Sequence, residues 1–251
     1  MRVATFNILH GASLADGHVD LVVLGASVAS LHADVVALQE VDRNQPRSCH
    51  ADLAAVAAEA MGAVDHRFVA AMVGRPDDRW VAADGTETDE APAYGIAIAS
   101  RFPVVSWKVL RLPTFRAPAP HRPRGERRPT VVREELRVAL AAVLETPHGP
   151  WTVVNTHLSF VPWLNRRQVR RLAETLPVLP PPVLLVGDLN MGADRAQRLT
   201  GLTPLVHART FPAGQPTQQL DHVLAREPLP GVTGEARLLP VSDHLALVVD
   251  L

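Results

Sequence analysis

Cysteine is nearly absent from this chain of 251 residues. Cys49 stands alone, so no internal disulfide and no cysteine-rich zinc centre can be built, and packing must hold the fold together. Aromatic residues make up only 4%, which offers no obvious face for stacking bases. No apolar run approaches the roughly 18 residues of a membrane span. The N-terminal run MRVATFNILH passes straight into polar residues, without the apolar core and cleavage site of a signal peptide, and a cytoplasmic monomer is the expectation. A formal net charge of −1 gives no global attraction to polyanions, so any such ligand has to meet a local basic patch. What remains is a composition of 47% hydrophobic and 20% charged residues, that of a chain able to bury a large core.

The pattern is one of many short apolar runs with a few helices between them. Strands are expected over residues 2–9, 34–40, 67–73, 94–100, 104–110, 136–144, 151–157, 183–187, 220–225 and 245–250. Helices are expected over 21–31, 52–61 with Gly62 as the C-terminal stop, and 166–176, ended by Pro177. Two packed sheets covered by helices suit this order, and no linker divides residues 1–251, which read as one domain. Two stretches read as loops beside the site: 74–92, which is acidic, and 112–130, rich in proline and arginine. The acidic loop can pair with those arginines, or the arginines can collect a phosphate-rich ligand.

Polar residues cluster where the apolar runs end. Singly, each is more often a cap or turn former than a catalyst. Together they supply carboxylates, amides and imidazoles without thiolates, a donor set for a hard cation such as Mg²⁺ or Mn²⁺. A phosphate ester needs its charge neutralised, a water activated and the departing oxygen stabilised, and this inventory meets all three needs.

The motifs are TFNILHG at 5–11, VALQEVDR at 36–43, YGIAIASR at 94–101, NTHL at 155–158, GDLN at 187–190, LDH at 220–222 and SDH at 242–244. In identity and order they resemble the endonuclease/exonuclease/phosphatase, or DNase I-like, family. The resemblance implies an α+β fold, a four-layer α/β/β/α sandwich of two facing mixed sheets with the site at one rim. It also implies a Mg²⁺-dependent phosphoesterase in which Glu40 is the principal metal ligand, supported by Asn7 and Asp243. Asp188 and Asn190 resemble the pair that orients and deprotonates water, His244 the imidazole that contacts the scissile phosphate, Asp221 its orienting carboxylate, and His157 a second phosphate-facing histidine. His10 and Arg43 follow these motif positions, and with Arg124, Arg127 and Arg128 they are candidate substrate-binding residues. Arg137 resembles an arginine that braces the carboxylates, a structural salt bridge being the alternative.

The family spans nucleases, deadenylases, sphingomyelinases and inositol-phosphate phosphatases, so the substrate stays open. A small soluble or lipid-headgroup phosphate ester is the first expectation, and a nuclease on short or single-stranded nucleic acid the second. A phosphate-binding module without catalysis would call for the loss of a central carboxylate or imidazole, and all of them are present.

Overall fold

The computed structural model describes residues 1–115, 119–121, 130–132, 134–226 and 229–251. In chain order the elements are β1 (Arg2–Asn7), α1 (Leu21–Ser30), β2 (Val35–Arg43), α2 (Leu53–Met61), β3 (Asp65–Gly74), β4 (Trp80–Ala82), β5 (Ala93–Ser100) and β6 (Val104–Arg111). There follow β7 (Ala119–His121), β8 (Thr130–Val132), β9 (Val138–Thr146), β10 (Gly149–His157), α3 (Pro162–Thr175), β11 (Val183–Asp188) and α4 (Ala193–Thr200). The last four are β12 (Thr203–Pro204), β13 (Asp221–Ala225), β14 (Thr233–Arg237) and β15 (Ala246–Asp250).

One sheet runs β14-β15-β1-β2-β5-β3-β4 and the other β12-β13-β11-β10-β9-β6. Each is antiparallel except for one parallel pair near its centre, β1 with β2 and β10 with β11. Alternation along the strands divides the apolar residues into three layers. In β1, Val3 packs between the sheets, while Ala4 and Phe6 pack under α1 and α2. The inter-sheet layer includes Ile98, Leu140 and Val186, and a third layer joins β10 and β11 to α3 and α4 through Leu158, Val169 and Leu185. These layers are those of the four-layer α/β/β/α sandwich. Leu140 is fully buried at the centre, where truncation to alanine costs about 2–5 kcal/mol.

Helix ends follow local chemistry. Asp20 accepts from the backbone N–H groups of Val22 and Val23 at the start of α1, and Asp52 does the same for Ala55 in α2. Gly62 closes α2 in the left-handed region at φ 69°. Helix α3 starts four residues before the expected 166, because Pro162 at the first turn loses no needed N–H and presets φ.

Six elements escaped the sequence pattern: β4, β7, β8, α4, the two-residue β12 and β14. The expected loop 74–92 contains β4, which returns along the end of β3, and 112–130 contains part of the β7–β8 ribbon. Helix α4 is only eight residues long, and edge strand β14 (TGEAR) is polar and largely exposed, so neither carries a strong apolar period.

Candidate active site

The parallel pairs end on the same rim, and the ends of their strands carry the polar motifs. Register sets His157 of β10 beside Asp188 of β11, and Asp188 beside Asp221 at the start of β13. Across the rim, Asn7 ends β1 opposite Gln39 of β2, and the Ser242–His244 turn leads into β15. Ser242 pins that turn: its hydroxyl donates to Asn7 O at 2.5 Å and accepts from the His244 N–H at 3.0 Å.

Local backbone aims these groups. A bulge between Gln39 and Val41 makes Glu40 an extra residue on β2, at φ 56°. It shifts the alternation by one residue, so Val41, which shares its parity with inter-sheet Val35 and Ala37, packs under the helices instead. Asn190 and Ser242 also sit at positive φ, 50° and 75°, and such strained backbone persists only where surroundings enforce it. Gly187, at φ 132°, leaves no room for a side chain, since a Cβ there would collide with Thr156 O of the neighbouring strand.

The Asn7 amide bridges the sheets, donating to Glu40 Oε1 at 3.0 Å and to Asp188 Oδ2 at 3.2 Å. Asp188 Oδ1 accepts the Asn190 N–H at 2.9 Å. Asn190 Nδ2 donates to Leu158 O at 2.8 Å and lies 3.3 Å from His157 Nε2. His244 Nδ1 is 2.8 Å from Asp221 Oδ2, while Nε2 of His244 and of His157 stand 3.8 and 3.6 Å from Asp188 Oδ2. The Phe211 ring closes over His244 with centroids 4.8 Å apart.

Burial dominates the electrostatics. It pushes the Asp188 carboxyl upward, and the neighbouring Asp221 adds to the effect against the opposing charge of His244. Burial also raises Glu40, with the Asn7 hydrogen bond and the Arg137 charge opposing it. For His244 burial acts downward but is outweighed by the charge and hydrogen bond of Asp221, aided by Asp188 and Asp243, so it rises to about 9. His157 goes the other way, held well below the usual histidine range by burial and by the charges of Arg137 and His244. The two imidazoles thus differ at neutral pH, one cationic and one neutral.

The donor set fits a divalent cation. Ligand atoms of Asp188, Asp221 and His244 lie within 4.8 Å of one another, and Asp221 Oδ1 is buried without a hydrogen-bond partner among the described residues. Glu40 adds another carboxylate through the Asn7 bridge. The carboxylate and amide oxygens are the donors that Mg²⁺ or Mn²⁺ prefers, while protonated His244 adds a hydrogen-bond donor beside them.

Not every expected residue joins this cluster. Asp243 and the half-buried His10 flank it, each within electrostatic reach of the other. Arg43 does not reach it: β2 past the bulge turns Arg43 to the outer face, where it pairs with Asp89 at 2.8 Å and lies over the Phe68 ring. Arg124, Arg127 and Arg128 lie outside the described residues. Between the two expected loops, Arg111 donates to Ala83 O at 2.8 Å, while acidic Asp77 and Asp89 pair with Arg75 and Arg43. Arg137 lies buried behind the rim, paired with Glu134 and Glu135 at 3.3 and 3.6 Å.

Some features were invisible in sequence. Gln39 Nε2 donates to Asn155 Oδ1 at 2.7 Å, and Asn155 Nδ2 reaches Leu38 O and Ala97 O at 2.8 Å, tying one sheet to the other. Despite the low aromatic content, Phe115 and Trp163 meet edge to face at 5.4 Å and remain 41% and 49% exposed. Their separation in sequence hid the pair, and the only signal was Trp163 lying six residues after His157.

Residues 4–244 match the endonuclease/exonuclease/phosphatase family, and the chain belongs to that family. Its fold is shared with an endonuclease/exonuclease/phosphatase from Beutenbergia cavernae, 23% identical, with a TM-score of 0.70 over 99% of this chain and 70% of the other. Sphingomyelinase C from Streptomyces griseocarneus is 16% identical, with a TM-score of 0.65 over 99% of this chain and 98% of the other. A variant of beta toxin from Staphylococcus aureus, solved with bound magnesium ions, is 11% identical, with a TM-score of 0.63 over 99% and 98%. No curated protein matches the chain. Family membership makes phosphate-ester hydrolysis the supported reaction class. Among the described residues no helix is long and apolar enough to cross a membrane.

Proposed function

We propose that this protein is a divalent-metal-dependent hydrolase, with Mg²⁺ as the cation and Mn²⁺ as its substitute, acting on a small soluble or lipid-headgroup phosphate ester as a phosphodiesterase or phosphatase. The observation that carries this reading is the Asn7 amide spanning Glu40 and Asp188, with the Asp221–His244 pair alongside. Glu40, Asn7 and Asp243 would hold the cation, with Asp188 within reach. A cation there supplies positive charge against the phosphate and the departing oxygen.

The chain's own groups divide the remaining work. Asp188 takes the proton of the attacking water, a task suited to a carboxylate raised by burial, while the Asn190 amide orients that water. His244, kept protonated by Asp221, donates from Nε2 to a phosphate oxygen. Neutral His157 offers one further hydrogen bond beside Asn190. Every group in this scheme comes from one chain, so a monomer suffices, and the lone Cys49 accords with a cytoplasmic setting.

The test is a hydrolysis screen with Mg²⁺, Mn²⁺ or EDTA on p-nitrophenyl phosphate, bis(p-nitrophenyl) phosphate, phosphocholine esters and short single-stranded DNA. Turnover that EDTA abolishes and Mg²⁺ restores is expected. Turnover indifferent to EDTA, or none on any phosphate ester, defeats the reading.

A nuclease acting on short or single-stranded nucleic acid is the second reading. It is favoured by the exposed Phe115–Trp163 pair, because Trp163 lies in the first turn of α3, whose exposed face continues with Arg166, Arg167 and Arg170. Aromatic rings and arginines in series are what a single strand requires. Preferential cleavage of the DNA in the same screen would select it.

A further inference from the structure

The bulge at Glu40 has a second product. Because the shifted phase puts Val41 under the helices, the next residue, Asp42, faces inward and is completely buried. Arg47 reaches back to it from a short turn, Pro46–Ser48, and donates to its two oxygens from Nε and Nη2, both at 2.8 Å. That turn is itself anchored by buried Gln45, whose amide donates to Gly74 O at 2.8 Å. The guanidinium lies 5.8 Å from the Tyr94 ring centroid, and its side chain is 36% exposed. Its charge acts on Glu40 and also reaches His10. Nη1 has no protein partner among the described residues.

A buried carboxylate bound to a cation is a poor way to stabilise a turn, because the desolvation cost can exceed the gain and an apolar pair would often serve better. The arrangement instead fixes a partly exposed guanidinium within electrostatic reach of Glu40 and His10, and its planar N–H groups match phosphate oxygens. In the proposed reaction the scissile phosphate lies against Asp188, His157 and His244, which converge with Asn7. Arg47 stands among Asp42, Tyr94 and His10, a different set of neighbours on the Glu40 side.

Resting on the phosphoesterase reading, we propose that Arg47, held by Asp42, is a substrate-binding residue that takes an oxygen of a second phosphate flanking the scissile ester. Substrates carrying phosphates in series or on neighbouring positions are therefore preferred over those with one.

Two chromogenic probes test this: the p-nitrophenyl ester of thymidine 5′-phosphate, with and without a 3′-phosphate. In the wild type the added phosphate should lower KM about tenfold, the scale of one charge-assisted hydrogen bond. Arg47→Ala should erase that advantage without changing the ratio of the two kcat values, and Arg47→Lys should restore part of it, keeping charge but losing the fork. Calorimetric binding of thymidine 3′,5′-bisphosphate against the 5′-monophosphate should show the same difference and needs no turnover. Equal affinity for the two nucleotides in wild type, or an Arg47→Ala loss of kcat shared by both esters, overturns the proposal. If Arg47→Ala unfolds, the Arg47→Lys comparison decides: an undiminished preference for the bisphosphate overturns it. Absence of hydrolysis with the binding difference intact would sink the phosphoesterase reading and leave the subsite standing.

Discussion

On the second sheet the rim is closed, with Asp188 and Asp221 buried and each locked to a neighbour, and His244, carried by the turn before β15 of the first sheet, is buried against Asp221. On the first sheet it is open, for Glu40 stands on a bulge with half-buried His10, partly exposed Asp243 and the free edge of Arg47 around it. Burial gives the closed half its displaced protonation equilibria, which acid–base work needs. Partial exposure leaves the open half the room that cation exchange and substrate entry would need on the proposed function. The Asn7 amide joins the carboxylates of the two, Glu40 and Asp188, beside the Asp221–His244 and Gln39–Asn155 links between the sheets.

The comparison breaks most severely when each half loses its carboxylate charge. Glu40→Gln and Asp188→Asn should both lower kcat by about a thousandfold or more, the combined scale of charge stabilisation and general-base catalysis. The open-half variant should also lose Mg²⁺ affinity in calorimetry by more than tenfold, and Asp188→Asn by less. Equal losses of affinity would show that the cation sits midway, nearer the Asp188–Asp221–His244 group.

Gly187→Ala attacks the geometry of the closed half. The added Cβ must displace Thr156 O and hold φ near 132°, so a loss of roughly 2–4 kcal/mol is expected by urea denaturation. A change below about 0.5 kcal/mol would mean that β10 and β11 shift freely, contrary to a rigid closed half.

A pH profile separates the two imidazoles. On the proposed roles, activity should rise as Asp188 ionises and fall as His244 loses its proton near its raised value of about 9. Asp221→Asn removes the charge that holds His244 up, so the alkaline limb should move to lower pH with a reduced maximum while the acid limb stays nearly fixed. An alkaline limb left in place by Asp221→Asn but abolished by His244→Ala would deny Asp221 its role as partner.

The smallest effect concerns stability without metal. Asp188 has a raised folded-state value, so its contribution is present at low pH and is lost as pH rises from the ordinary carboxylate range through that raised value. His244 likewise contributes fully below the ordinary histidine value, and that contribution is lost as pH rises through about 9. At pH 8, Asp188→Asn should therefore raise the Tm of the metal-free protein by a few degrees, corresponding to about 0.5–2 kcal/mol. Saturating Mg²⁺ should reverse the order of the two proteins. A lower Tm for the metal-free variant would mean that the closed half is not strained by its own charges.

Much was determined by sequence alone, because the information is local. Alternation in TFN and VALQ selects strands and their buried faces, Asp20, Asp52 and Gly62 mark helix ends, and the ordered motifs name the family and most of the polar cluster. The glycine of GDLN is legible too, although its reason, the nearness of Thr156 O, belongs to a neighbouring strand. Tertiary structure decided what depends on phase and distance. The bulge at Glu40 sends Asp42 inward and Arg43 outward, so Arg47, five residues beyond Asp42, becomes the cation at the rim. The distinct charge states of His157 and His244 likewise follow from which carboxylate or arginine lies beside each ring, since desolvation and Coulomb energy depend on separation in space and not along the chain.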